Sequence, residues 1–117
     1  MAITLYGIPN CDQVKKARAW LDGHAIPYRF HDFKKAGITQ ALIDGWLQHV
    51  GWEVLLNRKG TTWRGLPELR KAAVVDAASA AALMLESPSV VKRPVLQIDG
   101  AVHVGFADAE YQQIFKK

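Results

Sequence analysis

The sequence is poor in cysteine, with Cys11 the only one in 117 residues. A single thiol excludes an internal disulfide framework and any metal site built from several cysteines. The histidines have no spacing typical of metal ligands, so we expect no metal. The sequence also lacks a run of apolar residues long enough to span a membrane and a basic, apolar leader. A free thiol fits a reducing compartment, so we expect a soluble, cytoplasmic protein.

The chain also lacks any block of like charges. Its net charge is +4, but the lysines and arginines are spread along the sequence, which gives no support to nucleic-acid binding. Half of the residues are hydrophobic, enough to fill one core. We therefore predict a single domain over residues 1–117.

The stretch around Cys11 is the most informative part of the sequence. Ile3–Tyr6 predicts a strand, and Pro9 and Asn10 end it, because Pro cannot donate to a β-ladder and Asn favours turns and caps. Asn10 with Gln13 three residues later resembles a capping box, which predicts a helix beginning at Cys11. The only thiol would then lie at a helix N-terminus.

The start of a helix carries free backbone N–H groups and the positive end of the helix dipole. Both favour a thiolate, so we expect the pKa of Cys11 to be lowered, with Lys15 adding to the effect. A low-pKa sulfur is also a good leaving group when a second thiol resolves an adduct. The alternative is that Cys11 is a small buried hydrophobe, as many lone cysteines are.

The rest of the first half predicts a βαβ unit. After Cys11 the helix buries Val14, Ala17 and Leu21 and ends at Gly23. Pro27–Phe33 alternates aromatic and polar residues, as a strand does. Two strands joined by one helix are expected to be parallel neighbours with a right-handed crossover.

A helical insertion follows, over about residues 38–90. Thr39 is a predicted cap for a helix with one apolar stripe, and Gly51 ends it before a further short helical turn. Residues 57–62 form a polar, basic loop without apolar periodicity. Helices are then predicted from about Pro67 to Val74 and from a cap at Asp76 to Glu86.

The C-terminal part predicts a β-hairpin and a last helix. Two β-rich runs, residues 93–98 and 101–105, are joined by Asp99-Gly100, a dipeptide typical of a type I′ turn. Asp108 is a predicted cap for a helix with Tyr111 on its apolar face. The fold class is therefore α/β, with a mixed four-stranded sheet and a helical insertion between the second and third strands.

This order of elements, with a Cys after the first strand and a Pro opening the third, is the thioredoxin-like layout. Several motifs resemble the arsenate reductase-like (ArsC/Spx) family, and most closely its YffB-type members, over nearly the whole chain. The motifs are residues 6–12 (YGIPNCD), 15–17 (KKA), 57–64 (NRKGTTWR) and 92–94 (KRP).

The resemblance implies a glutathione-dependent thiol reductase in which Cys11 is the nucleophile. Glutathione or another small thiol would be the co-substrate and an oxidised or glutathionylated compound the substrate, with no bound cofactor. The resemblance also implies a cis peptide bond before Pro94, which would put the Pro94 backbone beside the Cys11 loop and let its neighbours, including Arg93, contact a bound thiol compound. A guanidinium there could pair with a thiolate, a glutathione carboxylate or an oxyanion. The alternatives are a solvated Arg93 and an ordinary trans Pro94.

Further candidate contacts to an anionic ligand lie in or beside the basic loop. Arg58, Lys59 and Arg64 could clamp an anion, or form a solvated charge cluster. Asn57 could bind the ligand or end the preceding helix, and Asn10 is a candidate contact as well as a cap.

Two departures from the family pattern bear on function. Many relatives have a second Cys where this chain has Val14, so an external thiol must resolve Cys11. Arsenate reductases of the family hold the oxyanion with three arginines; Arg93 matches one, Arg58 is near a second, and the third falls at about Gly105. Arsenate reduction is therefore the weaker hypothesis. The other alternative is a non-enzymatic, protein-binding regulator, because the family includes Spx-type proteins that bind RNA polymerase.

Overall fold

The β-strands of the protein form one mixed sheet in the computed structural model, which describes residues 2–117. The strands are β1 (Ile3–Gly7), β2 (Arg29–Asp32), β3 (Val95–Ile98) and β4 (Ala101–Val104). Their order in the sheet is β2-β1-β3-β4. β1 is parallel to β2 and antiparallel to β3, and β3 is antiparallel to β4. The predicted α/β class, the mixed four-stranded sheet and the parallel pairing of the first two strands are confirmed.

The helices are mostly short. They are α1 (Asp12–Gly23), α2 (Phe33–Ala36), α3 (Gln40–Leu47), α4 (Trp52–Leu55), α5 (Thr61–Arg64), α6 (Glu68–Ala72), α7 (Ala77–Glu86) and α8 (Asp108–Phe115), with a 3-10 helix at Pro88–Val90. Within residues 2–117, none of them has the length and apolar character needed to cross a membrane.

The chain divides into two compact units. The first contains the residues up to Ala36 together with Arg93–Lys117, and thus the sheet, α1, α2 and α8. The second, Gly37–Lys92, contains α3 to α7 and the 3-10 helix.

The core of the first unit lies between the sheet, α1 and α8. Its buried side chains come from β1, α1, β3 and α8, and they are Ile3, Leu5, Ala17, Trp20, Leu21, Leu96 and Tyr111. Trp20 also joins α1 to α8, because its indole N–H donates to the Asp108 carboxylate at 2.7 Å and its ring meets Tyr111 edge-on. The predicted cap at Asp108 is wrong: Ala107 is the N-cap residue, and Asp108, the first helical residue, is turned toward Trp20.

Helix caps in the second unit follow the sequence closely. Thr39 is the N-cap residue of α3, and its hydroxyl accepts a hydrogen bond from the Leu42 N–H at 3.2 Å. Asp76 and Ser79 form a reciprocal capping box at the start of α7. Both predicted caps are confirmed.

Three local predictions are wrong. β2 ends at Asp32, whose carboxylate accepts the Lys34 N–H at 2.8 Å, and Phe33 begins α2 instead of ending the strand. Thr61 begins α5, so the basic loop is shorter than predicted. The hairpin is present, but its turn is not of type I′. A type I′ turn requires a positive φ at both central residues, and here only Asp99 (φ +49°) has one, whereas Gly100 does not.

Replacing Thr39 with Ala should lower the free energy of unfolding by about 1 kcal/mol, because the Leu42 N–H loses its side-chain acceptor. Urea unfolding of T39A against the wild type measures the difference. T39S keeps the hydroxyl and is the matched control. Equal stability of T39A and T39S would show that this cap is not used.

Candidate active site

Cys11 lies in the short loop that joins β1 to α1. Its N–H donates to the Ile8 carbonyl at 3.1 Å, which closes a tight turn, and its own carbonyl accepts the Lys15 N–H at 2.9 Å. The backbone of Cys11 is extended (φ −83°, ψ 130°), so Cys11 is the N-cap residue of α1 and Asp12 is the first helical residue. The predicted cap at Asn10 is therefore wrong by one residue. Asn10 is exposed, and its role as a ligand contact stays a prediction.

The Cys11 side chain is partly exposed, and its surroundings favour the thiolate. Burial alone raises the pKa of this thiol, but hydrogen bonding from the Val14 N–H, the Arg93 guanidinium and the Gln13 N–H outweighs that effect, together with the charge of Arg93. The pKa of Cys11 is therefore lowered, as the position at a helix N-terminus predicts. The positive charge that acts on the sulfur is that of Arg93 rather than that of Lys15.

The sulfur interacts with the first turn of α1 without regular capping geometry. Cys11 makes no well-formed side-chain capping bond to the first turn of α1. The Gln13 and Val14 N–H groups nevertheless lower the pKa of the sulfur. They are the groups that donate hydrogen bonds to the side-chain oxygen of a typical N-cap residue. A negative sulfur is thus favoured by groups that the helix leaves unpaired.

Sheet topology explains why Arg93 meets Cys11, although 82 positions separate them in the sequence. β3 runs antiparallel to β1 with Val95 opposite Tyr6, so the residues just before β3 lie next to those just after β1. The Arg93–Pro94 bond is cis, as the resemblance implied. Pro94 is buried and its carbonyl accepts the Gly105 N–H at 2.8 Å, which ties this segment to the end of β4.

The remaining candidate residues belong to the second unit. Asn57 shapes its loop: its side-chain oxygen accepts the Lys59 N–H at 3.1 Å, and its backbone N–H donates to Val90 at 2.7 Å. A side chain on Gly60 would clash with Asn57, since a Cβ there would lie 2.8 Å from Asn57 Nδ2. Asn57 thus orders the basic loop, which is a structural role that the sequence did not predict.

The basic side chains of this loop have few partners. The Arg58 guanidinium lies 5.8 Å from the centre of the Trp52 ring, and Arg64 Nε donates to the Gly60 carbonyl at 3.5 Å. Lys59 is exposed. A cavity of about 270 Å³ in this unit is lined by Glu53, Val54, Leu56, Asn57, Arg58, Lys59 and Lys92. Ligand binding by Asn57, Arg58, Lys59 and Arg64 stays a prediction.

Comparison with known proteins decides the family. The ArsC family model matches residues 6–114 of the chain. The chain belongs to the ArsC family. A solved structure named YFFB protein is 47% identical, with a TM-score of 0.91 over 96% of this chain and 97% of that one. An arsenate reductase (ArsC) related protein from Brucella melitensis is 56% identical, with a TM-score of 0.78 over 100% and 97% of the two chains.

Two curated relatives of this ArsC-family chain extend the comparison. An uncharacterized protein of Haemophilus influenzae is 41% identical over 113 residues, which cover 97% of this chain and 98% of that protein. The global transcriptional regulator Spx 1 of Lactococcus lactis is 27% identical over 118 residues, covering 92% and 84% of the two chains. The resemblance to the ArsC/Spx family and its YffB-type members is confirmed. Arsenate reductase-related proteins and transcriptional regulators are thus both similar to this chain.

Replacing Arg93 with Ala should raise the pKa of Cys11, because the thiolate loses a charged hydrogen-bond donor. We expect several-fold slower alkylation of R93A at neutral pH and a thiolate midpoint displaced to higher pH. R93K keeps the positive charge but lacks the planar guanidinium with its several N–H donors. The thiolate midpoint of R93K should therefore lie between those of R93A and the wild type.

Alkylation rate against pH measures this effect, and Cys11 is the only thiol that can react. R18A is the matched control, because Arg18 contacts Tyr28 and Phe30 instead of the sulfur. If R93A and R18A gave the same midpoint as the wild type, Arg93 would have no part in activating the thiol.

Proposed function

We propose that this ArsC-family protein is a glutathione-dependent thiol/disulfide oxidoreductase with Cys11 as its nucleophile. The observation that carries the proposal is the setting of the sulfur, which is partly exposed and close to donors from α1 and Arg93. A purely structural cysteine has no need of these donors, whereas a nucleophile and leaving group does.

The proposed reaction has two thiol–disulfide exchanges. The Cys11 thiolate attacks the glutathione sulfur of a mixed disulfide; a Cys11–glutathione disulfide forms, the substrate S–S bond breaks, and the substrate leaves as a thiolate that takes a proton from water. A glutathione thiolate then attacks the glutathione sulfur bound to Cys11. This step releases the Cys11 thiolate and forms glutathione disulfide, so the substrate sulfur is reduced and the sulfur of the incoming glutathione is oxidised.

An external thiol is required because the chain has no second cysteine. Val14, where many family members have the second Cys, is fully buried. Arg93 supports both exchanges, since its guanidinium favours the Cys11 thiolate as the attacking and as the leaving group.

Exposure to glutathione disulfide should give the wild type, but not C11S, the added mass of one glutathione, and reduced glutathione should remove it. With a glutathionylated peptide as substrate, the wild type should consume NADPH through added glutathione reductase, and C11S should lose this turnover completely. C11S is the matched control, because it replaces one atom at a partly exposed position. Equal turnover by C11S would rule out the mechanism.

Arsenate can be tested as the oxidant in the same assay. The third arginine of arsenate reductases falls at about Gly105, which is a buried glycine with φ +85° and offers no cation to an oxyanion. We therefore expect no arsenate-dependent oxidation of glutathione.

A second candidate function is a protein-binding regulator. The similarity to Spx 1, which covers 92% of this chain, favours it. Binding to purified RNA polymerase, measured with the wild type and C11A, separates the two functions. Equal binding of both proteins without thiol-dependent turnover would support the regulator, and turnover without binding would support the oxidoreductase.

A further inference from the structure

The last residue of β1 is a glycine in close contact with α1. Gly7 pairs with Asp32 of β2, so the sheet holds its backbone. A Cβ added to Gly7 would lie 2.7 Å from Val14 Cγ2 and 3.4 Å from Val14 Cγ1. The shorter distance is about 0.8 Å below the smallest favourable separation of two carbon atoms, ~3.5 Å. Gly7 does not have a positive φ, so the need for glycine here is steric.

Val14 cannot easily move out of the way of such a Cβ. Its side chain is fully buried, and a β-branched residue in a helix has essentially one accessible χ1 rotamer. Relief of the clash must therefore come from displacement of the first turn of α1. That turn carries the Val14 and Gln13 N–H groups that act on the Cys11 sulfur.

We propose that Gly7 is a positioning residue for Cys11: the missing side chain lets Val14 pack directly on the end of β1, and this contact holds the first turn of α1 against the sulfur. The inference deepens the proposed function, on which its importance for turnover rests. The placement of the amides themselves depends only on packing between β1 and α1.

The contact has a direct consequence for the thiol. An alanine at position 7 would push Val14, and with it the N–H groups, away from their present positions. Hydrogen bonds weaken steeply when their distance and angle are disturbed, so the thiolate would lose stabilisation while burial and Arg93 stayed in place. Trimming Val14 to alanine removes both Cγ atoms that the new Cβ would meet. The double variant therefore relieves the clash.

The test compares the wild type with G7A, G7A/V14A and G23A, using the thiolate absorbance of Cys11 against pH. We expect G7A to titrate at higher pH than the wild type and the double variant to return toward the wild-type midpoint. G23A is the matched control at the other end of α1, because a Cβ on Gly23 meets no atom within 4 Å. It should titrate like the wild type.

Two results would overturn the proposal: a folded G7A with the wild-type midpoint, or a G7A/V14A variant with a midpoint still raised. If G7A fails to fold, the thiolate midpoint of the double variant alone tests the proposal, because this variant is expected to fold and to have the wild-type midpoint. The titration needs no substrate. A wild-type protein without glutathione-dependent turnover would defeat the proposed function, and the same titrations would still test Gly7.

Discussion

The antiparallel pairing of β1 with β3 is the constraint on which the candidate site depends. It places Val95 opposite Tyr6, and so brings the residue before the cis proline beside the loop that follows β1. Without that register, the Arg93 guanidinium and the Cys11 sulfur would have no reason to meet. The amides of α1 come from the same segment as the thiol, whereas the charge comes from the opposite end of the chain. The site is therefore assembled by tertiary structure as much as by the local Cys–helix motif.

The stabilised thiolate is also linked to the stability of the fold. The pKa of Cys11 is lower in the folded than in the unfolded chain, so between these two values the unfolded state binds more protons, and stability rises with pH. The contribution is complete above the unfolded value, ~8.5, and is lost as the pH falls through the folded value. The interactions that favour the thiolate thus also stabilise the folded chain against unfolding.

The sequence predicted those features that depend on short-range pattern. Thr39 and Asp76 cap helices because their side chains reach amides three residues away, and Asp99-Gly100 marks the hairpin through local backbone preference. The cap at Asn10 was wrong because the extended backbone of Cys11 delays the helix by one residue. The resemblance implied that Arg93 could pair with a thiolate, but the register of β3 against β1, which brings Arg93 to Cys11, is a long-range feature that no local pattern of the sequence encodes.

Val14 stands where many relatives have a second cysteine, and its presence determines how Cys11 can react. In relatives that carry a second cysteine at this position, the residue supplies a thiol; here it supplies a buried apolar side chain in contact with Gly7 and a backbone N–H that acts on Cys11. An internal disulfide cannot form with a single cysteine, so a disulfide at Cys11 needs a thiol from outside. An enzyme that turns over with a small thiol tolerates this arrangement, because each cycle restores the thiolate. A regulator switched by an internal disulfide does not, because that disulfide cannot form without a second cysteine.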